Sequence, residues 1–202
     1  MHEIDKKNKL ARNKGKKVLI TETAIDKVPL IKYKEIDPTE YKKLQFLTKL
    51  LLRYAKDNND SNEVSILYKM GDNELLDENY GISFGDEHGV VINKNSKAGY
   101  LLYKSKECIL VCLHNHPSGS ILSLYDINVL ITNQNLKMIT AVTNRGKISY
   151  LVKGKKYNVL TAVKLFYDSV VGLTNESSVN DEIKAIKKFL KSCYKAGMIY
   201  KK

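Results

Sequence analysis

Two histidines, His114 and His116, stand two residues apart after the apolar stretch Cys108-Ile109-Leu110-Val111-Cys112-Leu113, and Asp126 follows ten residues later. On extended chain, side chains at i and i+2 point the same way, so both imidazoles converge on one point. Pro117, Ser118 and Gly119 then turn the chain, and Asp126 falls on the first turn of the next expected helix, where its carboxylate swings back toward the histidines. Two nitrogens and one oxygen with an open fourth position make the ligand set of a catalytic zinc site, as opposed to a closed structural one. Hydrolysis by a zinc-activated water also needs a base and an oxyanion donor. Ser123 is the natural donor. The base must be a carboxylate close to the metal but not on it, and the choice is Glu78, near the end of an expected hairpin, with Glu87 as its rival. A His-x-His pair alone is weak, because strand ends often carry polar rim histidines; Pro117, Ser123 and Asp126 give it weight. His88 reads as a turn histidine facing water, and Cys108 and Cys112 as core residues.

The elements that must position these residues follow from patterning. Asp37 and Pro38 start a helix, and Tyr41, Leu44, Leu47, Leu51 and Tyr54 recur at spacings of three or four along one apolar face. Glu63 to Met70, with Val64, Ile66, Leu67 and Tyr68, is strand-like, Gly71-Asp72-Asn73 turns, and Glu74 to Glu78 is expected as the returning strand. Further extended chain is expected over Gly81 to Ile92, and Ser96 caps a helix over Lys97 to Lys106. Cys108 to Leu113 has no polar alternation, which suits a central strand covered on both faces. A helix over Leu124 to Gln134, a hairpin over Met138 to Val152 turning at Asn144-Arg145-Gly146-Lys147, and helices near 158–171 and 179–195 complete the order. The sum is an α+β or mixed α/β fold, a central sheet flanked by helices. Three parts are expected: a basic N-terminal arm over 1–36, a principal domain over 37–172 and a C-terminal helical extension over 173–202.

Composition narrows the classes. The chain has 202 residues, 43% hydrophobic and 28% charged, enough for one core with extensions and too apolar for wholesale disorder. No run of about 18 apolar residues and no leader-like h-region occurs, so a membrane partner is not expected and a cytoplasmic location is. Three cysteines, an odd number without framework spacing, fit reduced thiols. The net charge of +12 invites a nucleic-acid partner, and Lys6, Lys7, Lys9, Arg12, Lys14, Lys16 and Lys17 crowd the arm. Nearly all of that charge is lysine, which lacks the planar fork that reads phosphates and bases, so nucleic-acid binding through the arm is not the favoured role.

A glutamate upstream, then His-x-His-Pro, then Ser-x-x-Asp resembles the pattern of JAMM (MPN+ or JAB) metalloproteins, and His114-Asn115-His116-Pro117-Ser118-Gly119 is similar to the form in their RadC-like bacterial and prophage branch. The resemblance covers roughly 64–152. It implies a JAMM sheet of the cytidine-deaminase-like kind, zinc on His114, His116 and Asp126, Glu78 as general acid/base and Ser123 steadying the tetrahedral intermediate. The 36 residues from Glu78 to His114 suit an intervening strand and helix better than the 27 from Glu87. The loop from His116 to Asp126 spans ten residues where the common pattern has eleven. The implied activity is a zinc metallopeptidase or isopeptidase cleaving an amide bond in a protein or peptide substrate, including a ubiquitin-like tag. The alternative is a RadC-like accessory protein of a phage or mobile element acting on or near DNA.

Overall fold

A computed structural model describes residues 17–72, 74–120 and 122–202. In chain order these form helix α1 (Glu22–Asp26), a 3₁₀ turn (Pro38–Glu40) leading into α2 (Tyr41–Asn58), strand β1 (Val64–Lys69), a 3₁₀ turn (Asp77–Asn79) and β2 (Tyr80–Phe84). Then come α3 (Ser96–Lys104), β3 (Leu110–His116), α4 (Leu124–Thr132), β4 (Leu136–Thr143), β5 (Ile148–Lys153), α5 (Val159–Val170), α6 (Val179–Ser192), a 3₁₀ turn (Cys193–Ala196) and β6 (Met198–Lys201).

The six strands make one mixed sheet in the order β2-β1-β3-β4-β5-β6, antiparallel throughout except for the parallel pair β3 and β4. Alternation along each strand divides the core in two. Leu67, Leu110, Cys112, Ile139, Ala141 and Leu151 face α3, α4, α5 and α6, while Ile66, Tyr68, Val111, Leu113, Met138 and Val152 face α1 and α2. All seven residues of β3 are buried, as the unbroken apolar run predicts for a strand covered on both sides. Each buried Leu, Ile or Val contributes on the order of 1.5–3 kcal/mol. The face toward α2 follows from its spacing: Leu44, Leu47, Leu51, Leu52 and Ala55 are fully buried.

Several sequence expectations shift. The partner of β1 is Tyr80–Phe84, not 74–78, and Glu78 lies in the 3₁₀ turn that precedes it. Asp77, Glu78 and Asn79 turn where a strand was expected, and the pairing begins only at Tyr80, opposite Tyr68. Gly81 is required there by close approach, since a Cβ on it would collide with the backbone of Ala98 in α3. Asn95 rather than Ser96 caps α3, accepting from the N–H groups of Lys97 at 2.9 Å and Ala98 at 3.2 Å. Cys108 is exposed, not a core residue, because β3 starts only at Leu110; Cys112 is buried as expected.

At both ends the boundaries of the principal body move outward. Ile20, Ile25, Val28, Tyr33 and Ile36, within the expected arm, are buried against the sheet and α2. Residues 1–16 of the expected basic arm lie outside the described residues. At the other end the expected helical extension closes with β6, which pairs with β5 and completes the sheet. No described helix is long and apolar enough to cross a membrane.

Candidate metal centre

The β3 register places His114 and His116 on the face that carries Leu110 and Cys112, toward α4, and turns the intervening Asn115 to the α2 face. Their Nε2 atoms come within 2.8 Å of each other. Asp126 arrives from the first turn of α4, its Oδ1 3.3 Å from His114 Nε2 and its Oδ2 3.5 Å from His116 Nε2. All three residues are buried, and their ligand atoms lie within 4.8 Å of one another. Among the described residues this is the group of histidine, cysteine and acidic side chains that could hold a metal ion.

Asp126 is held by a capping box. Ser123 Oγ accepts from the Asp126 N–H at 3.1 Å, while the Ser123 N–H and Oγ–H donate to Asp126 Oδ2 at 2.6 and 2.7 Å. The serine therefore sits in the centre, but its proton is engaged in aiming the aspartate. His116 is fixed by its other nitrogen: Nδ1 lies 3.2 Å from the Ser120 carbonyl oxygen and 2.9 Å from Ser120 Oγ. A carbonyl only accepts, so that contact calls for a proton on Nδ1 and turns Nε2 toward His114 and Asp126, the nitrogen that would be free to bind a metal once deprotonated. His114 Nδ1 is buried with no hydrogen-bond partner among the described residues.

The electrostatics favour positive charge where the three side chains meet. Burial, the largest influence on His116, opposes its charge, yet Asp126 and the charge of Glu63 outweigh it and push the imidazole up to about 9. Burial likewise works to raise the Asp126 carboxyl, and His114 and His116 together hold it well below the usual carboxylate range. Two nitrogens and a carboxylate that converge in this way could hold a metal ion.

A further buried acid, Glu63, which the motif spacing does not single out, faces this group. Ser65 of β1 is paired with His114, so the same register continued places Glu63 opposite His116 and on the same face. Glu63 is buried, 6% exposed. Its backbone is clamped: its N–H donates to the Asp86 carbonyl at 3.0 Å, and its carbonyl accepts from Gly85 at 2.9 Å and from Asn59 Nδ2 at 2.9 Å. The position was accessible from strand parity, since 63 shares a face with 65 and 67.

Glu78 is not brought to the centre. It is exposed and precedes Tyr80, which pairs with Tyr68, whereas the His114 end of β3 neighbours Val64 and Ser65. The strand from Tyr80 to Phe84 alone is about 13 Å long, so Glu78 lies at the opposite end of the sheet. Glu87 is at the correct end, in the turn beside the Glu63 backbone, but its side chain is 57% exposed and paired with His88 at 3.3 Å. The structure thus sets Glu63, and neither Glu78 nor Glu87, beside His114, His116 and Asp126.

Asn115 has a separate task. Its Oδ1 accepts from Val64 N–H at 2.7 Å, and its Nδ2 donates to Asn62 O at 3.0 Å and Asn144 Oδ1 at 2.8 Å. Asn144 in turn donates to Val18 O at 2.7 Å and Ser61 O at 2.9 Å. This latch ties the start of β1 to the end of β3, the geometry that carries Glu63 to His116. Comparison with family profiles, curated proteins and solved structures finds no match in any of the three.

Proposed function

We propose that this chain is a zinc-dependent metallopeptidase or isopeptidase of the JAMM type that hydrolyses an amide bond in a protein substrate. The observation that carries the reading is the buried convergence of His114 Nε2, His116 Nε2 and the Asp126 carboxylate, with the Glu63 carboxylate on the same face. The JAMM-type sheet belongs to the same proposal. It is supported by the parallel pair β3 and β4, whose connecting helix α4 starts beside the carboxyl end of β3, where ligands gather in sheets of this kind.

His114, His116 and Asp126 would hold the ion. Zinc supplies there a Lewis acid that polarises a carbonyl and makes water a nucleophile near neutral pH. Glu63 accepts the proton of the attacking water and returns it to the leaving amine nitrogen, as general base and then general acid. Burial on a clamped segment keeps that carboxylate in place. Ser123 keeps Asp126 aimed, and its hydroxyl serves a developing oxyanion when it turns away from Oδ2.

Metal analysis of the purified full chain tests this. About one zinc per chain is expected, falling below about a tenth in a His114→Ala/His116→Ala variant. No stoichiometric zinc after zinc-supplemented expression, or zinc retained by the double variant, overturns the proposal.

A further inference from the structure

Helix α5 buries one side against the core and leaves the other bare. Ala162 and Ser169 are buried, and Leu165 and Phe166 lean on the α4 and α6 side of the core, with Phe166 edge-on to Phe189 at 6.0 Å. On the outer side Leu160 is 77% exposed, Val163 48%, Tyr167 63% and Val171 59%. Spacings of three, four and four put these four on one stripe along the whole helix. Single exposed apolar residues are ordinary, but four in a row on one helix mark an interaction surface.

The charges beside the stripe say what covers it. Lys164 and Asp168, both exposed, lie on the same flank. In an antiparallel pair of identical helices the same flanks meet. A two-fold axis crossing α5 near residue 166 places Lys164 opposite the partner's Asp168 and, by symmetry, Asp168 opposite the partner's Lys164. That register also sets Leu160 within one residue of the partner's Val171, and Val163 between the partner's Tyr167 and the partner's Val171. The stripe is thus complementary to itself in shape and in charge, the condition for an isologous interface. Residues 1–16 do not suit it, being dominated by lysine with few apolar side chains.

We propose that two copies of this chain associate in solution through antiparallel contact of their α5 helices, with reciprocal Lys164–Asp168 pairs at the rim. One helix pair is a small interface, so the dimer belongs in the micromolar range. It is independent of the metal centre, which lies at the carboxyl end of β3.

Sedimentation or light scattering of the full chain tests this directly. Wild type is expected to reach twice its 23.0 kDa mass as concentration rises toward about 200 µM. Lys164→Asp and Asp168→Lys should each weaken association by about tenfold, because each sets like charges against each other at both rim contacts. An equimolar mixture of the two variants should recover association, since each then presents what the other lacks. Leu160→Asp should leave a monomer. Circular dichroism of each variant confirms that these exposed changes keep the fold. A wild-type chain that stays monomeric overturns the proposal, as does a dimer indifferent to all of these substitutions or a mixture that fails to recover.

Discussion

The sheet buries a carboxylate near each of its ends, and the two are treated differently. Near the amino end of β3, Glu40 is 3% exposed and accepts from Tyr68 Oη–H at 2.7 Å, Lys43 Nζ at 2.8 Å and Gly71 N–H at 3.2 Å. Each of these neighbours brings its own proton, and the lysine brings the balancing charge. Burial, aided by Glu40, pushes the Tyr68 phenol above its usual range, which keeps it a donor. Near the carboxyl end, Asp126 faces the Nε2 atoms of two histidines that lie 2.8 Å apart, and Glu63 adds a second negative charge felt by His116. One cluster is an acid held by three donors; the other is a group of side chains whose ligating atoms converge within 4.8 Å of one another. Burial of an acid therefore does not by itself separate the two ends of the sheet, whereas convergence of ligating atoms does.

The sharpest way to break this comparison is to neutralise each acid. Glu63→Gln should slow amide hydrolysis by about 10²–10⁴-fold while zinc content stays at wild-type level. Glu78→Gln and Glu87→Gln should leave the rate within about twofold, since neither side chain is buried in the centre. Glu78→Gln abolishing hydrolysis would make Glu78 the base in place of Glu63. Next in size, Glu40→Gln should cost about 1–3 kcal/mol in urea unfolding, by leaving Lys43 without its charge partner, and should not alter zinc content. Glu63→Gln, which removes one of the two acids that favour charge on His116, should shift urea unfolding less than Glu40→Gln does. If Glu40→Gln strips the metal, or Glu63→Gln is the more destabilising of the two, the distinction falls.

A smaller effect concerns a buried cation. Lys153 is 2% exposed, donates to Asn133 O at 2.7 Å and sits 4.9 Å over the Tyr157 ring. Burial, only partly offset by nearby Cys108, lowers its ammonium from 10.5 to about 8. The folded chain therefore binds this proton more weakly than the unfolded chain, so stability gains as pH rises from about 8 to 10.5 and that gain is absent below about 8. Lys153→Met should flatten this rise in a pH series of urea midpoints; an unchanged slope would mean the lysine keeps its ordinary affinity.

Much of the site was legible because its ligands are local. Strand parity brought His114 and His116 together, and the helix start after Ser123 brought Asp126 back to them, all within one strand-to-helix unit. Fold class and most elements followed from apolar spacing in the same way. Glu63 was not singled out because its approach to His116 depends on long-range register. Glu63 reaches His116 only through β1 pairing with β3, held by Asn115, and neither the pairing nor the latch leaves a periodic trace. The β2 boundary failed for a related reason: Glu74 to Glu78 has extended-chain composition, but pairing starts at Tyr80, where Gly81 lets α3 approach. Cys108 was read as core from its apolar neighbours, one turn of chain too early.

The locality of β3 and α4 also sets an order of assembly. The three ligands span thirteen residues, from 114 to 126, whereas Glu63 precedes His114 by 51. Closing a short loop costs less chain entropy than closing a long one, so the β3–α4 unit gathers early in folding and β1 docks onto it later. The candidate metal site is thus assembled before Glu63 arrives beside it, and an ion that binds there would act on the β3–α4 unit as well as on the finished protein.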